Sequence, residues 1–136
     1  MKPKFMLDTN ICIYLMKRQP PEVAARLQGL FVGEVVMSAV TLAELEHGVA
    51  CSGPSLARNR DALDGLLTEI PVVAFDQASA AAYGPARLAT RERTRDALDK
   101  LIAAHALALG TVLVTNNEAD FAAYPGLKVE NWAAGT

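Results

Sequence analysis

Five short apolar runs separated by helical stretches set the strongest limit on how this chain can fold. They are Lys4–Leu7, Val35–Ser38, Val72–Phe75, Thr111–Thr115 and Lys128–Asn131. Most are continuously apolar rather than alternating, as strands covered on both faces are. The segments between them read as helices: Ile11–Lys17, Pro21–Leu27, Thr41–Ala50, Leu56–Thr68, Gln77–Arg91 and Ala97–Leu109. Pro21 suits a first helical turn. Gly84-Pro85 predicts a break or kink in the fifth helix, and Gly110 a C-cap for the sixth. Strands alternating with helices predict an α/β fold with a mainly parallel sheet. Right-handed crossovers then place helices on both of its faces. The 136 residues suit a single domain, 1–136, large enough for a substantial core.

In such sheets ligands bind beyond the carboxyl ends of the strands, and there this chain places acids. "KFMLDTN" drives an apolar run straight into Asp8, with no Lys or Arg beside it. "SAVTLAELEHG" brings Glu44 into the start of a helix after the second run. "VTNNEADF" supplies Thr115, Asn116, Asn117 and Asp120 after the fourth. In "RDALDKLIAAHALALG", Asp99 opens a helix that is apolar almost all round and therefore buried. At about 100° per residue Asp99 shares a face with Ile102, Ala103 and Ala106 and points inward.

Each acid also has a capping explanation. Asp8 could be an N-cap, Thr41-Leu42-Ala43-Glu44 reads as a capping box, and Asp96 and Asp99 suit a helix N-terminus. Taken together these explanations strain, because they gather carboxylates at one sheet edge. Two carboxylates ~5 Å apart repel by roughly 3 kcal/mol at an effective dielectric of 20. A hard divalent cation resolves the conflict: an Asp/Glu set without His or Cys fits Mg²⁺ or Mn²⁺ and not zinc. The chemistry of such a site points to a phosphodiester substrate.

Composition narrows the alternatives. The net charge of −2 argues against coating nucleic acid by bulk charge, but leaves room for a local basic patch. Arg87, Arg91, Arg93 and Arg95 form the one Arg-rich run, either a solvated face or a phosphate-tracking patch leading to Asp99. Cys12 and Cys51 have no metal-ligand spacing. The N-terminal apolar run is stopped at Asp8, too soon for a signal peptide. The longest near-apolar stretch, Leu101 to Val114, falls short of the ~20 residues a membrane span needs. The expectation is a cytoplasmic protein without a membrane partner.

Four stretches carry a resemblance: "MLDTNICIYL", "MSAVTLAELEHG", "LDKLIAAHALALGTVLVTNNEADF" and "PGLKVENW". In that order, and over essentially the whole chain, the sequence resembles the PIN-domain ribonucleases, and among them the VapC toxins of bacterial VapBC toxin–antitoxin pairs. The resemblance implies an α/β/α sandwich around a parallel sheet. It implies a metal-dependent endoribonuclease that cleaves tRNA or rRNA with Mg²⁺, for which Mn²⁺ substitutes. By motif, Asp8, Glu44 and Asp99 match the family's metal-holding acids, and Thr9, Asn10 and Thr115 its supporting polar residues. The fourth acidic position is Asn117 here, with Asp120 as another candidate. Relatives often carry Gly-Arg-Pro before the third acid, where this chain has "TRERTRDAL". The implied partners are a VapB antitoxin, a second copy in a homodimer, and a higher toxin–antitoxin hetero-oligomer that meets DNA only through the antitoxin.

Two other readings compete. Phosphoryl transfer through Asp8 would need a second acid two residues on, and Asn10 stands there. A catalytically silent module that only binds partners would not need all three acids. Elsewhere the residues read structurally: His105 as a core histidine, His47 as a cation at a helix C-terminus, Asp76 as an N-cap, Cys12 as a small buried hydrophobe and Trp132 as a packing anchor.

Overall fold

The computed structural model describes residues 2–134. Its five strands are β1 (Phe5–Leu7), β2 (Val35–Ser38), β3 (Val72–Val73), β4 (Val112–Val114) and β5 (Lys128–Glu130). They form one sheet in the order β3-β2-β1-β4-β5. Every pairing is parallel, with Met6 opposite both Val36 and Leu113. The helices are α1 (Thr9–Lys17), α2 (Pro21–Gln28), α3 (Ala39–Ala50), α4 (Leu56–Glu69), α5 (Gln77–Ala89), α6 (Ala97–Leu109) and α7 (Glu118–Phe121). The expected parallel α/β sandwich is therefore the architecture observed. No helix among the described residues is long and apolar enough to cross a membrane.

Continuous apolar strands are required because each face of the sheet has its own core. Leu7, Val35, Met37 and Val114 point to one side and meet Ile11, Cys12, Val23, Leu45, Leu63 and Leu66. Met6, Val36 and Leu113, one residue out of step, point to the other and meet Ala86, Ile102, Ala103, Ala106, Phe121 and Tyr124. The period of two along each strand thus feeds both layers. The small alanines of α6 let that helix lie close against its neighbours, chiefly α5.

Three local expectations are revised. α5 runs unbroken from Gln77 to Ala89 with Pro85 inside it. Its packing along α6 outweighs the single main-chain hydrogen bond that Pro85 forgoes. β3 is only Val72–Val73, because it is an edge strand paired with β2 alone, and Phe75 leaves it to pack edge-on against His105 at 5.5 Å. α3 begins at Ala39, with Ser38 as its cap. Gly110 does close α6 in the left-handed conformation, φ 71°. The order of strands leaves β1 central: the chain runs from β1 outward to β2 and β3 on one side, then crosses back from β3 to β4 and β5 on the other. Such a reversal is where parallel sheets of this kind place their ligands.

Candidate active site

Asp8 ends β1 and caps α1. Its Oδ1 accepts from the Ile11 N–H at 2.9 Å, so the capping expectation holds, and it uses one carboxylate oxygen. The side chain of Thr115, just beyond β4, lies against the same carboxylate and favours its charged form. Asp8 is 6% exposed, and burial nonetheless drives its pKa above the ordinary carboxylate value, aided by the nearby Glu44. Burial and the same carboxylate push the Cys12 thiol up as well, which leaves it an inert core group.

Glu44 sits in the second turn of α3, not the first. Ser38 Oγ accepts from Val40 N at 3.0 Å, so the Thr41–Glu44 capping box does not form. Glu44 instead accepts a 2.6 Å hydrogen bond from the Thr9 hydroxyl, which ties α3 to α1 beside Asp8. Asp99, in the first turn of α6, points into the same space. Burial lifts its pKa to about 6, and Asp96, Glu44, Asp8 and Asp120 push in the same direction. The three acids named from sequence therefore converge electrostatically, Asp8 from the end of β1, Glu44 from α3 and Asp99 from α6. Among the described residues, no three Asp, Glu, His or Cys side chains stand close enough together to hold a metal ion as they are placed. Mutual repulsion between carboxylates favours such spacing.

The loop after β4 completes the rim. Thr115 Oγ1 accepts from Asn117 N at 3.0 Å, and Asn10 Nδ2 reaches Asn116 at 3.4 Å. Asn116 in turn donates to the Tyr14 hydroxyl at 2.8 Å. Asn117 and Asp120 engage each other, the Asn117 amide donating to Asp120 Oδ2. Asp120 also lies 3.8 Å from the Arg93 guanidinium. Neither residue of this pair presents a carboxylate without a partner, so Asp120 is a weaker candidate for the fourth ligand than its sequence position suggests.

Arg93 departs from the reading as an exposed phosphate contact. Its guanidinium meets Asp96 at 2.6 Å, donates to the main-chain carbonyl of Asp120 at 2.7 Å and lies over the Tyr124 ring. Arg91 and Arg95 remain exposed. Three sets of contacts escaped sequence reasoning. Ser38 joins His105 Nδ1 at 2.7 Å, linking the helices of Glu44 and Asp99. Asp96 is a carboxylate with its own cation. Lys100 is buried and donates to the main-chain carbonyls of Thr90 and Arg93. A lysine inside an otherwise apolar helical run was the available signal. His105 is the core histidine expected, its pKa lowered by burial. Asp76 is the expected N-cap, accepting from Ser79 N at 2.9 Å.

The donor set is carboxylate, with hydroxyl and amide oxygens at its rim. It suits Mg²⁺ or Mn²⁺, which take oxygen ligands and retain several waters. Asp8, Glu44 and Asp99 make no ion pair with a basic side chain among the described residues, whereas Asp96 and Asp120 share Arg93.

Comparison with known proteins follows the same residues. The sequence profile described as the PIN domain matches residues 5–127. The chain is 39% identical over 132 residues to a protein of Shigella flexneri named tRNA(fMet)-specific endonuclease VapC, covering 96% of this chain and 98% of that one. It superposes on a chain of the DNA-bound VapBC structure from Salmonella typhimurium with a TM-score of 0.86 and 35% identity, covering 96% and 98%. It also superposes on a chain of VapBC2 from Rickettsia felis bound to promoter DNA, with a TM-score of 0.84 and 34% identity, covering 94% and 98%.

Proposed function

Because this chain belongs to the PIN-domain family, and within it to the VapC ribonucleases, we propose that it is the endoribonuclease toxin of a VapBC-type pair, acting on RNA in the cytoplasm. One observation carries the reading of the site. Asp8, Glu44 and Asp99 arrive from three elements at the carboxyl edge of the sheet, and among the described residues none of them makes an ion pair with a basic side chain. A hard cation held by these residues supplies Lewis acidity toward a phosphoryl oxygen and a reactive water. The chain's own residues hold the arrangement. Ile11 N–H and Thr115 fix Asp8, and the Thr9 hydroxyl fixes Glu44. Burial, with Asp96, Glu44, Asp8 and Asp120 nearby, raises the Asp99 pKa to about 6. The resemblance to an endonuclease named for tRNA(fMet) favours a tRNA substrate. DNA-bound VapBC complexes among the structural relatives favour a VapB antitoxin as partner; a toxin homodimer, with DNA met through the antitoxin, is what the family resemblance implies.

The test is to map RNA 5′ ends after brief expression without antitoxin. Discrete new ends within one RNA class support the reading; an unchanged end profile in cells arrested by the protein removes it. A trapped aspartyl-phosphate at Asp8 would instead revive phosphoryl transfer. Purified protein that neither binds Mn²⁺ nor cuts RNA would favour the silent module.

Two further results are expected. Arg91→Gln with Arg95→Gln should weaken RNA binding and reduce the slope of log K against log salt by about 1.4, at ~0.7 per single-strand phosphate contact. An unchanged slope would make both residues a solvated face. Asn117→Asp places a carboxylate against Asp120, where an amide now donates. Without divalent cation this variant should melt lower than the native protein. With cation the added charge should tighten Mn²⁺ binding in calorimetry, and looser binding would exclude position 117 from the ligand set.

A further inference from the structure

Five carboxylates gather at this sheet edge, yet they are not equivalent, and the difference lies in two cations that the proposed chemistry does not use. Lys100 is 6% exposed, and its ammonium donates to the main-chain carbonyls of Thr90 and Arg93. Burying an ammonium is costly unless it is hydrogen-bonded, so these acceptors fix the segment between α5 and α6. That segment carries Arg93, whose guanidinium meets the Asp96 carboxylate at 2.6 Å and the Asp120 main-chain carbonyl at 2.7 Å. The Asp120 carboxylate lies 3.8 Å from it, and the Tyr124 ring lies beneath. A continuous set of bonds therefore runs from α6 through residues 90–93 to the start of α6 and across to α7. Asp99 lies inside it, one residue from Lys100 and three from Asp96.

We infer that Arg93 and Lys100 are positioning residues, a brace that ties Asp96 and Asp120 to the protein's own charge and so reserves Asp8, Glu44 and Asp99 for the divalent cation. The inference rests on the reading of the acid site given above. Arg93 supplies the charge and Lys100 the shape. Without Arg93 the Asp96 and Asp120 carboxylates, which already bear on Asp99, lose their counter-charge, and the site becomes both more negative and less selective among its acids. Without Lys100 the guanidinium keeps its charge but loses the segment that aims it.

Mn²⁺ titration by calorimetry, hydrogen exchange and cleavage kinetics test this on the full chain. Arg93→Gln is expected to bind Mn²⁺ about fivefold tighter, or in greater number, because a like-signed charge leaves the site. A merely structural lesion would loosen binding instead. Arg93→Lys, which keeps the charge, is expected to restore the native isotherm. Lys100→Met is expected to speed exchange in residues 90–96 and in α7, and to lower kcat while KM for RNA holds. An Arg93→Gln isotherm that coincides with the native one, in a native protein that binds Mn²⁺ and cleaves RNA, overturns the brace alone. Unchanged exchange in Lys100→Met overturns it too. A native protein that neither binds Mn²⁺ nor cleaves RNA overturns the assignment of the site, and the brace's role falls with it.

Discussion

Asp8→Asn is expected to abolish RNA cleavage and toxicity, by about 10³-fold or more, while the protein still folds. The two halves of that result have separate causes. Asn caps helices about as well as Asp, and its side-chain carbonyl can still accept from Ile11 N–H, the 2.9 Å bond that starts α1. The lost charge is what matters for chemistry. A cation in such a site contributes several kcal/mol of transition-state stabilisation, and each 1.36 kcal/mol is a factor of ten in rate. Asp8 is also buried beside Glu44, and both features raise its pKa. The neutral amide relieves that strain, so the variant should melt no lower than the native protein in chelator. Single-turnover cleavage of labelled RNA, together with thermal melts, checks both halves. A variant expressed at native level and still fully toxic would remove Asp8 from the site.

The residues that could be read from sequence share a property: their signal is local. The strands announce themselves because both faces of the sheet are covered, so Phe5-Met6-Leu7 and Val35-Val36-Met37 have no polar interruption. Asp8 stands out because it ends such a run. Asp99 stands out because its helix is otherwise apolar. What stayed hidden depends on distance or on competition between caps. The Thr41–Glu44 pattern is a sound capping box, but Ser38 lies directly at the end of β2 and starts the helix earlier. Glu44 is thereby placed a turn further in and turned toward Thr9. α7 has four residues, too few for any period to show. The pairing of Arg93 with Asp120 spans 27 residues and depends on where β4 delivers its loop. In the sequence Arg93 stands beside Arg91 and Arg95 and shares their apparent role. Only the position of Asp96 and the loop after β4 separates it from them.

Asp99→Asn is expected to abolish cleavage as Asp8→Asn does, and also to reverse part of the pH dependence of stability. Burial raises the Asp99 pKa from 3.8 to about 6, with further push from Asp96, Glu44, Asp8 and Asp120. A carboxyl whose folded pKa is raised binds more protons folded than unfolded between those values. Its contribution to stability is therefore greatest below pH ~4, declines as pH rises and is lost above pH ~6. Asp99 is partly open to solvent, so the penalty at neutral pH is discounted for screening to roughly 1 kcal/mol. The loss of an anion from the first turn of α6 works against the variant by about 0.3–1 kcal/mol, and this deficit is small when Asp99 is protonated. In chelator at pH 7, Asn should therefore match or exceed the native melting temperature by up to about 3 °C. At pH 4 that advantage should vanish. Glu34, Glu46 and Asp76, whose pKa values are lowered, shift the absolute curve the other way but cancel in the comparison. Adding Mn²⁺ at pH 7 should raise the native melting temperature and leave the variant nearly unmoved, since ligand binding stabilises only the state that binds. A difference between the two proteins that is the same at pH 4 and pH 7, and indifferent to Mn²⁺, would show that Asp99 titrates as an ordinary surface acid and takes no part in holding the cation.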